Sequence, residues 1–276
     1  MKEQMLVIGG TGKTGRKVVN RLREKGYSVR IGSRSASLPF DWQKPEGWSD
    51  VLRGIDKAYI TFQPDLAVPW AANAIRQLAT IARDMELKHL VLLSGAGERE
   101  AERCEQILLN SGVPTTILRA MWFNQNFSES FLMEPILAGN VMLPNPNAQV
   151  AFVDTDDIAD MAVEALTTDQ HEGKIYNLTG PSHLSFAESV GRIAEVTGRQ
   201  IQVMPISHSQ YEAGMEEAGV PADYRWLISY LFREVLPVHD KAPISNDIER
   251  ILGRPAKDFA AYVAETAATG VWSVSN

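Results

Sequence analysis

Met5-Leu6-Val7-Ile8-Gly9-Gly10-Thr11-Gly12-Lys13-Thr14-Gly15-Arg16-Lys17-Val18-Val19 is the stretch on which the reading of this chain turns. Four apolar residues make a short strand. Gly10, Gly12 and Gly15 follow in the spacing G-x-G-x-x-G, and Gly9, Gly12 and Gly15 also satisfy G-x-x-G-x-x-G. Val18, Val19 and Leu22 then recur on one helical face until Gly26 stops the helix. Glycine is needed at such a strand-to-helix turn because the chain bends tightly and its backbone must come close to a pyrophosphate. The helix N-terminus then offers N–H groups and a partial positive charge to that anion. A glycine-rich structural turn is the plainer alternative. Gly12-Lys13-Thr14 also resembles the end of a nucleoside-triphosphate loop, but that motif needs a glycine at position 7. Val7 stands there inside the strand, so a triphosphatase is excluded on spacing.

Outward from this point, short apolar runs alternate with helical patterns. Strands are predicted at Ser28–Gly32, 58–61, 89–93 ending in Ser94-Gly95, and 115–119, with helices over 70–83 and 98–110. A polar connection carrying Trp42 and Trp48 precedes the third strand. This alternation predicts an α/β fold, a Rossmann-type doubly wound parallel sheet. Later, 151–153 and 175–179 read as strands and Thr155–Thr167 as a helix. Ser185 with Glu188, and Ser209 with Glu212, read as capping boxes. Pro221 suits a helix start, and the last helices fall near 247–252 and 258–267. The expected division is a dinucleotide-binding domain over 1–180, with a substrate-lining loop near 120–147. A smaller, mostly helical substrate lobe over 181–276 follows, some of its segments returning to the core.

The 27 basic and 34 acidic residues leave a charge of −7 with no basic run, which argues against nucleic acid as a partner. Cys104 is the only cysteine, so no intramolecular disulfide forms and a reducing compartment is expected. The apolar stretch at Met5–Ile8 is shorter than the roughly 7–15 residues of a secretory segment. No apolar run approaches the roughly 20 residues of a membrane span. A cytoplasmic protein without membrane contact is expected.

The end of the second strand bears on the choice of dinucleotide. An acid there would bond the ribose 2′-hydroxyl of NAD; Ser33-Arg34-Ser35 stand in its place, and the next acid is Asp41. A guanidinium can pair with a 2′-phosphate that a carboxylate would repel. NADP(H) is therefore preferred over NAD(H), with Arg34 the main contact and Ser33 a helper, unless Arg34 is simply a solvated surface residue.

With the glycine loop, the strand ending in Ser94-Gly95, and Leu118-Arg119-Ala120-Met121-Trp122-Phe123-Asn124-Gln125-Asn126-Phe127, the chain resembles a known family. It is similar to the NmrA-like branch of the atypical short-chain dehydrogenases/reductases. Phe152-Val153-Asp154-Thr155-Asp156-Asp157-Ile158-Ala159, Tyr176-Asn177-Leu178-Thr179-Gly180, Leu252-Gly253-Arg254-Pro255 and Asp258-Phe259 look like its later landmarks. Such proteins include NADPH-dependent quinone reductases, triphenylmethane dye reductases, festuclavine-type dehydrogenases and NADP-binding redox sensors without turnover. The resemblance implies that Gly9, Gly10, Thr11, Gly12, Lys13, Thr14, Gly15, Ser33 and Arg34 hold the cofactor. Thr61, Phe62 and Gln63, with Pro64, after the fourth-strand position, would flank it. Ser94 and Gly95 would sit near the nicotinamide, and Trp122, Phe123, Asn124 and Phe127 would line the substrate pocket.

Short-chain dehydrogenases protonate the nascent alkoxide with a tyrosine four residues before a lysine. None of the seven tyrosines has a lysine at that spacing. An enzyme so built suits acceptors that need little acid help, such as a quinone, an iminium or a cationic dye, and ordinary ketones would be poor substrates. The alternative is a non-catalytic NADP(H)-binding sensor, and a homodimer or a regulatory protein partner stays open. Ser94 either donates a hydrogen bond to substrate or satisfies its own strand end. Residues 122–127 either wall a flat substrate or pack internally. Asp154, Asp156, Asp157 and Asp160 lack the glycine of a calcium loop and read as helix-start carboxylates, and the histidines show no zinc spacing. Cys104 reads as core. Glu98, Glu100, Glu102 and Glu105 read as a solvated helix start.

Overall fold

A computed structural model describes residues 2–274 and resolves into two compact units, one comprising residues 2–120, 155–178 and 247–254, the other 121–154, 179–246 and 255–274. The units therefore do not divide the chain at 180. The segment 121–154 belongs with the later residues, and 247–254 returns to the first unit.

The first unit is built on strands β1 (Gln4–Ile8), β2 (Ser28–Gly32), β3 (Lys57–Ile60), β4 (His89–Gly95) and β5 (Thr115–Ala120). With Ile175–Leu178 they form one six-stranded sheet in the order β2-β1-β3-β4-β5 and then Ile175–Leu178, every pairing parallel. Parallel neighbours need crossovers, which are supplied by helices α1 (Gly15–Glu24), α2 (Trp48–Leu52), α3 (Ala71–Asp84) and α4 (Arg99–Leu109). Leu6, Ile8, Leu90 and Leu92 point from alternate strand positions into a core shared with Ile75, Leu78, Cys104 and Leu108 of α3 and α4. Burial pushes the Cys104 thiol up to about 12, so this cysteine behaves as core.

The connection after β2 is not the polar link that its composition suggests. Phe40 stacks on Trp48 at 5.1 Å, and Trp42 meets Trp48 at 5.4 Å and Phe62 at 4.4 Å. The indole N–H groups of Trp42 and Trp48 donate to the carbonyls of Thr61 (3.1 Å) and Asp41 (2.9 Å). Polar residues flank these rings in sequence, but the rings themselves supply enough apolar area to roof α2 and α3.

The helix Thr155–Thr167 explains its run of acids. Asp156 and Asp160 accept from Arg21 of α1 at 2.7 and 2.6 Å, while Asp157 and Asp160 bond Arg254. Arg254 thereby anchors the returning segment 247–254 to this helix.

The second unit has its own core, in which Trp122, Phe127, Phe152, Phe186, Phe232 and Phe259 are buried together. Its two short ladders pair Asn140–Leu143 with Gln202–Pro205 and Gln149–Val150 with Leu184–Ser185. The strand expected at 151–153 is thus displaced to Gln149–Val150, leaving only a bridge between Phe123 and Val153. The Ser185–Glu188 capping box is present in both directions. The second box lies two residues before its expected place, on Ser207 and Gln210 rather than Ser209 and Glu212. Both pairs carry the right spacing; the extended backbone at Ser207, after the strand ending at Pro205, decides which one caps.

Candidate dinucleotide-binding site

The strand-to-helix turn after β1 folds on itself. Gly9 takes φ +76°, its N–H donates to the Gly32 carbonyl at 2.8 Å, and its carbonyl accepts from Gly12 N at 2.9 Å. A Cβ on Gly15 would stand 2.2 Å from the Gly9 oxygen, and one on Gly9 would stand 1.9 Å from Thr61 Oγ1. These two glycines close the turn. Gly12 differs: it is exposed, and a Cβ there would meet nothing nearer than the Gly9 oxygen at 3.3 Å. Its missing side chain clears the outer side of the loop, where Thr11 is also exposed and Lys13 half-buried.

Helix α1 opens directly from this turn. Its N-cap, Thr14, makes no side-chain capping bond; its hydroxyl instead accepts from the buried Tyr59 hydroxyl at 3.0 Å. No acid stands in the first turn of the ten-residue helix. An uncapped N-terminus without local negative charge, reached over bare glycine backbone, fits a pyrophosphate.

Around the loop, Thr61 donates its hydroxyl to the Ile8 carbonyl at 3.0 Å and abuts Gly9. Phe62 is wedged between Trp42 and Trp70, with ring centroids 4.4 and 4.9 Å away, so its ring is held by the aromatic roof. Gln63 is exposed. At the end of β2, Ser33 Oγ lies 3.3 Å from Ser35 Oγ and Arg34 is exposed. Arg30 is tied to the carbonyls of Val51 and Arg53, whereas Arg34 makes no ion pair among the described residues.

Ser94 corrects an expectation. Parallel register places Ser94 of β4 beside Arg119 of β5, on one face of the sheet, and both meet Glu105 of α4. The Ser94 hydroxyl donates to Glu105 Oε1 at 2.6 Å; Arg119 grips the same carboxylate through Nε at 2.9 and 3.0 Å and through Nη2 at 2.5 Å. Ser94 is buried and its proton is engaged by a carboxylate, so it is not placed to donate to a substrate. Glu105 is fully buried, against the expectation of a solvated helix start, as is nearly all of Glu98. The missed signal was helical register. Ala101, Cys104 and Leu108 form the buried stripe of α4, and position 105 falls within it.

Glu98, immediately before α4, makes no capping bond. Its carboxyl turns inward and hydrogen-bonds the carboxyl of Asp65, which follows β3. Burial and then the Asp65 charge push Glu98 up to about 9, and burial likewise raises Asp65. The folded state therefore holds a proton that an unfolded Glu98, near the ordinary value of 4.5, releases. A raised carboxyl contributes stability in full below the unfolded value and loses it as pH rises through the folded one. The wild-type melting temperature is expected to fall between pH 5 and pH 9, and Glu98→Gln to flatten that slope in calorimetric scans. An unchanged slope would remove the buried acid as its source.

The expected substrate wall is largely core. Phe127 and Asn124 are fully buried and Trp122 nearly so. Trp122 packs edge-on to Phe186 at 5.3 Å, and Phe127 edge-on to Phe152 and Phe259, each at 5.3 Å. Asn124 and Gln125 donate to the buried Asp154 carboxylate at 3.3 and 3.0 Å. The internal-packing alternative describes these residues; Phe123 is only half-buried. The aromatics pack there beside aliphatic side chains such as Leu132, Ile136, Leu143 and Ile193.

Among the described residues no helix is long and apolar enough to cross a membrane, and no three metal-binding side chains gather. No family model matches the chain. Over 283 residues it is 27% identical to Prestalk A differentiation protein A of Dictyostelium discoideum, covering 96% of this chain and 93% of that one. It is also 27% identical to NAD(P)H azoreductase of Xenophilus azovorans, covering 96% and 98%. Among solved structures, the NADPH-dependent quinone oxidoreductase of Escherichia coli, complexed with NADPH, superposes with TM-score 0.80 at 18% identity, covering 95% of this chain and 99% of that one. The triphenylmethane reductase of a Citrobacter species, complexed with NADP(H), gives 0.78 at 20% over the same shares.

Proposed function

We propose that this chain, an NAD(P)H-dependent oxidoreductase of the atypical short-chain dehydrogenase/reductase type, prefers NADPH to NADH and reduces small, flat or pre-polarised electrophiles. Quinones, iminium ions and cationic dyes are the acceptor classes. The observation that carries the reading is the glycine turn opening onto an uncapped helix N-terminus. When bound, the dinucleotide supplies hydride. The chain's own part is to hold it. Main-chain amides at Thr11–Gly15 would hold the pyrophosphate, and Thr61 and Gly95 would border the nicotinamide half. The absence of a tyrosine–lysine pair, and the engagement of Ser94 by Glu105, support acceptors whose reduction needs no strong proton donor. Steady-state NADPH consumption against quinones, a triarylmethyl dye and a simple ketone tests this; efficient turnover of the ketone alone would overturn it.

Arg34, exposed at the end of β2 and without an ion pair among the described residues, supports the preference for NADPH. A charge-assisted pair with the 2′-phosphate is worth about 1.5–3 kcal/mol. Arg34→Ala is expected to weaken NADPH roughly 10–100-fold and NADH less than about threefold, measured by fluorescence titration. Equal effects on both would end the assignment.

The engaged serine also favours a second reading, a sensor that binds NADP(H) without turnover. Tight binding with no acceptor reduced across the panel selects it. The reductase reading goes with a cytoplasmic location and a small-molecule partner, without nucleic acid or membrane; a homodimer or a regulatory protein partner is decided by sedimentation.

A further inference from the structure

Adjacent parallel strands deliver two acids to one place. β3 and β4 pair in register from Lys57 with His89 to Ile60 with Leu92. The segments leaving them, 61–68 and 96–98, therefore emerge side by side at the C-terminal edge of the sheet, the edge that carries the glycine turn. Asp65 lies in the first segment and Glu98 in the second. The Glu98 carboxyl packs so closely on Gly95 that a Cβ there would stand 1.9 Å from its Oε1. Glu98 is 95% buried, and its Oε2 has no hydrogen-bond partner in the protein. Asp65 is partly exposed and accepts from Ala67 N at 2.8 Å.

Two carboxyl groups in hydrogen-bond contact cannot both be ionised without large repulsion, so they hold one proton between them. Among the described residues no lysine or arginine forms an ion pair with Asp65 or Glu98. On the neighbouring turn of α4, Arg103 lies against Glu100 at 3.4 Å and Glu105 is held by Arg119, while Arg99 and Glu102 are exposed. Cys104, the remaining titratable neighbour, is buried. A packing role alone would be met by an amide or an apolar side chain at lower desolvation penalty.

We propose that Asp65 and Glu98 are the proton store of this site, delivering their shared proton to the reduced acceptor where short-chain dehydrogenases use tyrosine and lysine. The proposal rests on the reductase reading above. Hydride addition to a quinone makes a hydroquinone monoanion and NADP+. The carboxyl O–H bond then breaks and a phenol O–H bond forms, leaving the pair as two carboxylates until solvent reprotonates it through Asp65. Hydride addition to a triarylmethyl cation forms only a C–H bond and a neutral product, so it draws nothing from the pair.

The two acceptors make the test. Glu98→Gln keeps a hydrogen bond to Asp65 and removes the transferable proton. With the protein and NADPH, it is expected to lower kcat for a benzoquinone about tenfold, less than the roughly 10²–10⁴-fold of general acid help to an ordinary carbonyl, because the hydroquinone monoanion is already stable. Turnover of the triarylmethyl dye and affinity for NADPH should stay within about threefold. Infrared difference spectra at pH 7 should show a protonated-carboxyl carbonyl band in the wild type that is missing in Glu98→Gln; Asp65→Asn serves as a second variant. No such band, unchanged quinone turnover, or equal loss on both acceptors overturns the proposal. If the wild type reduces neither acceptor, the reductase reading falls and proton delivery with it, while the infrared band still reports whether the proton is shared.

Discussion

Gly12→Val lowers the affinity for NADPH by at least about 100-fold while the protein stays folded. A Cβ at position 12 meets only the Gly9 oxygen, at 3.3 Å, so the turn tolerates the branch. The two methyl groups instead fill the outer side of the loop, where the pyrophosphate must approach the backbone. Losing two charge-assisted amide-to-phosphate bonds, at about 1.5 kcal/mol each or more, removes two orders of magnitude in affinity. Gly15→Ala is the control of opposite kind: its Cβ, 2.2 Å from the Gly9 oxygen, must push the turn open, so stability and affinity fall together. Calorimetric titration beside thermal unfolding separates the two. Wild-type affinity in Gly12→Val would show that the dinucleotide, if bound at all, lies elsewhere.

Arg119→Met is expected to destabilise the fold by about 3–5 kcal/mol, a large part of what a domain possesses. The change leaves the fully buried Glu105 carboxylate with only the Ser94 hydroxyl. Glu105→Gln should cost less, because Arg119 is a quarter exposed and can turn its guanidinium to water. Replacing all three by apolar residues should recover much of the loss, as buried ion pairs rarely outperform well-packed hydrocarbon. Ser94→Ala should leave turnover within about threefold, since its proton is already engaged. Urea unfolding gives the stabilities. A loss below about 1 kcal/mol in Arg119→Met would mean that water reaches Glu105.

Sequence legibility followed the distance over which a signal acts. The glycine turn was readable because strand, turn and helix lie within twenty-odd consecutive residues and each constrains the next. The Ser185–Glu188 box was readable for the same reason. Glu105 was not, since its partners come from two other strands and only register brings Ser94 and Arg119 to one face. Asp65 and Glu98 were hidden in the same way by the adjacency of β3 and β4. Trp122 and Phe127 misled for another reason. Aromatic rings flanked by amides are the material of both a ligand wall and a wet-edged core, and composition does not distinguish them. The place of Arg34, exposed just beyond β2, was legible because a strand end is a local feature.

The return of residues 247–254 has a consequence for how the molecule is made. Arg254 clasps Asp157 and Asp160, and the sheet's last strand lies between those aspartates and the arginine in the chain. A ribosome has therefore emitted residue 254 before the unit that carries the glycine turn acquires this clamp. Such long-range closure slows maturation and exposes the nascent intermediate to proteases and chaperones. It also means that neither half can be excised with one pair of scissors: a stop codon placed at the end of the sheet would yield a fragment already missing its latch.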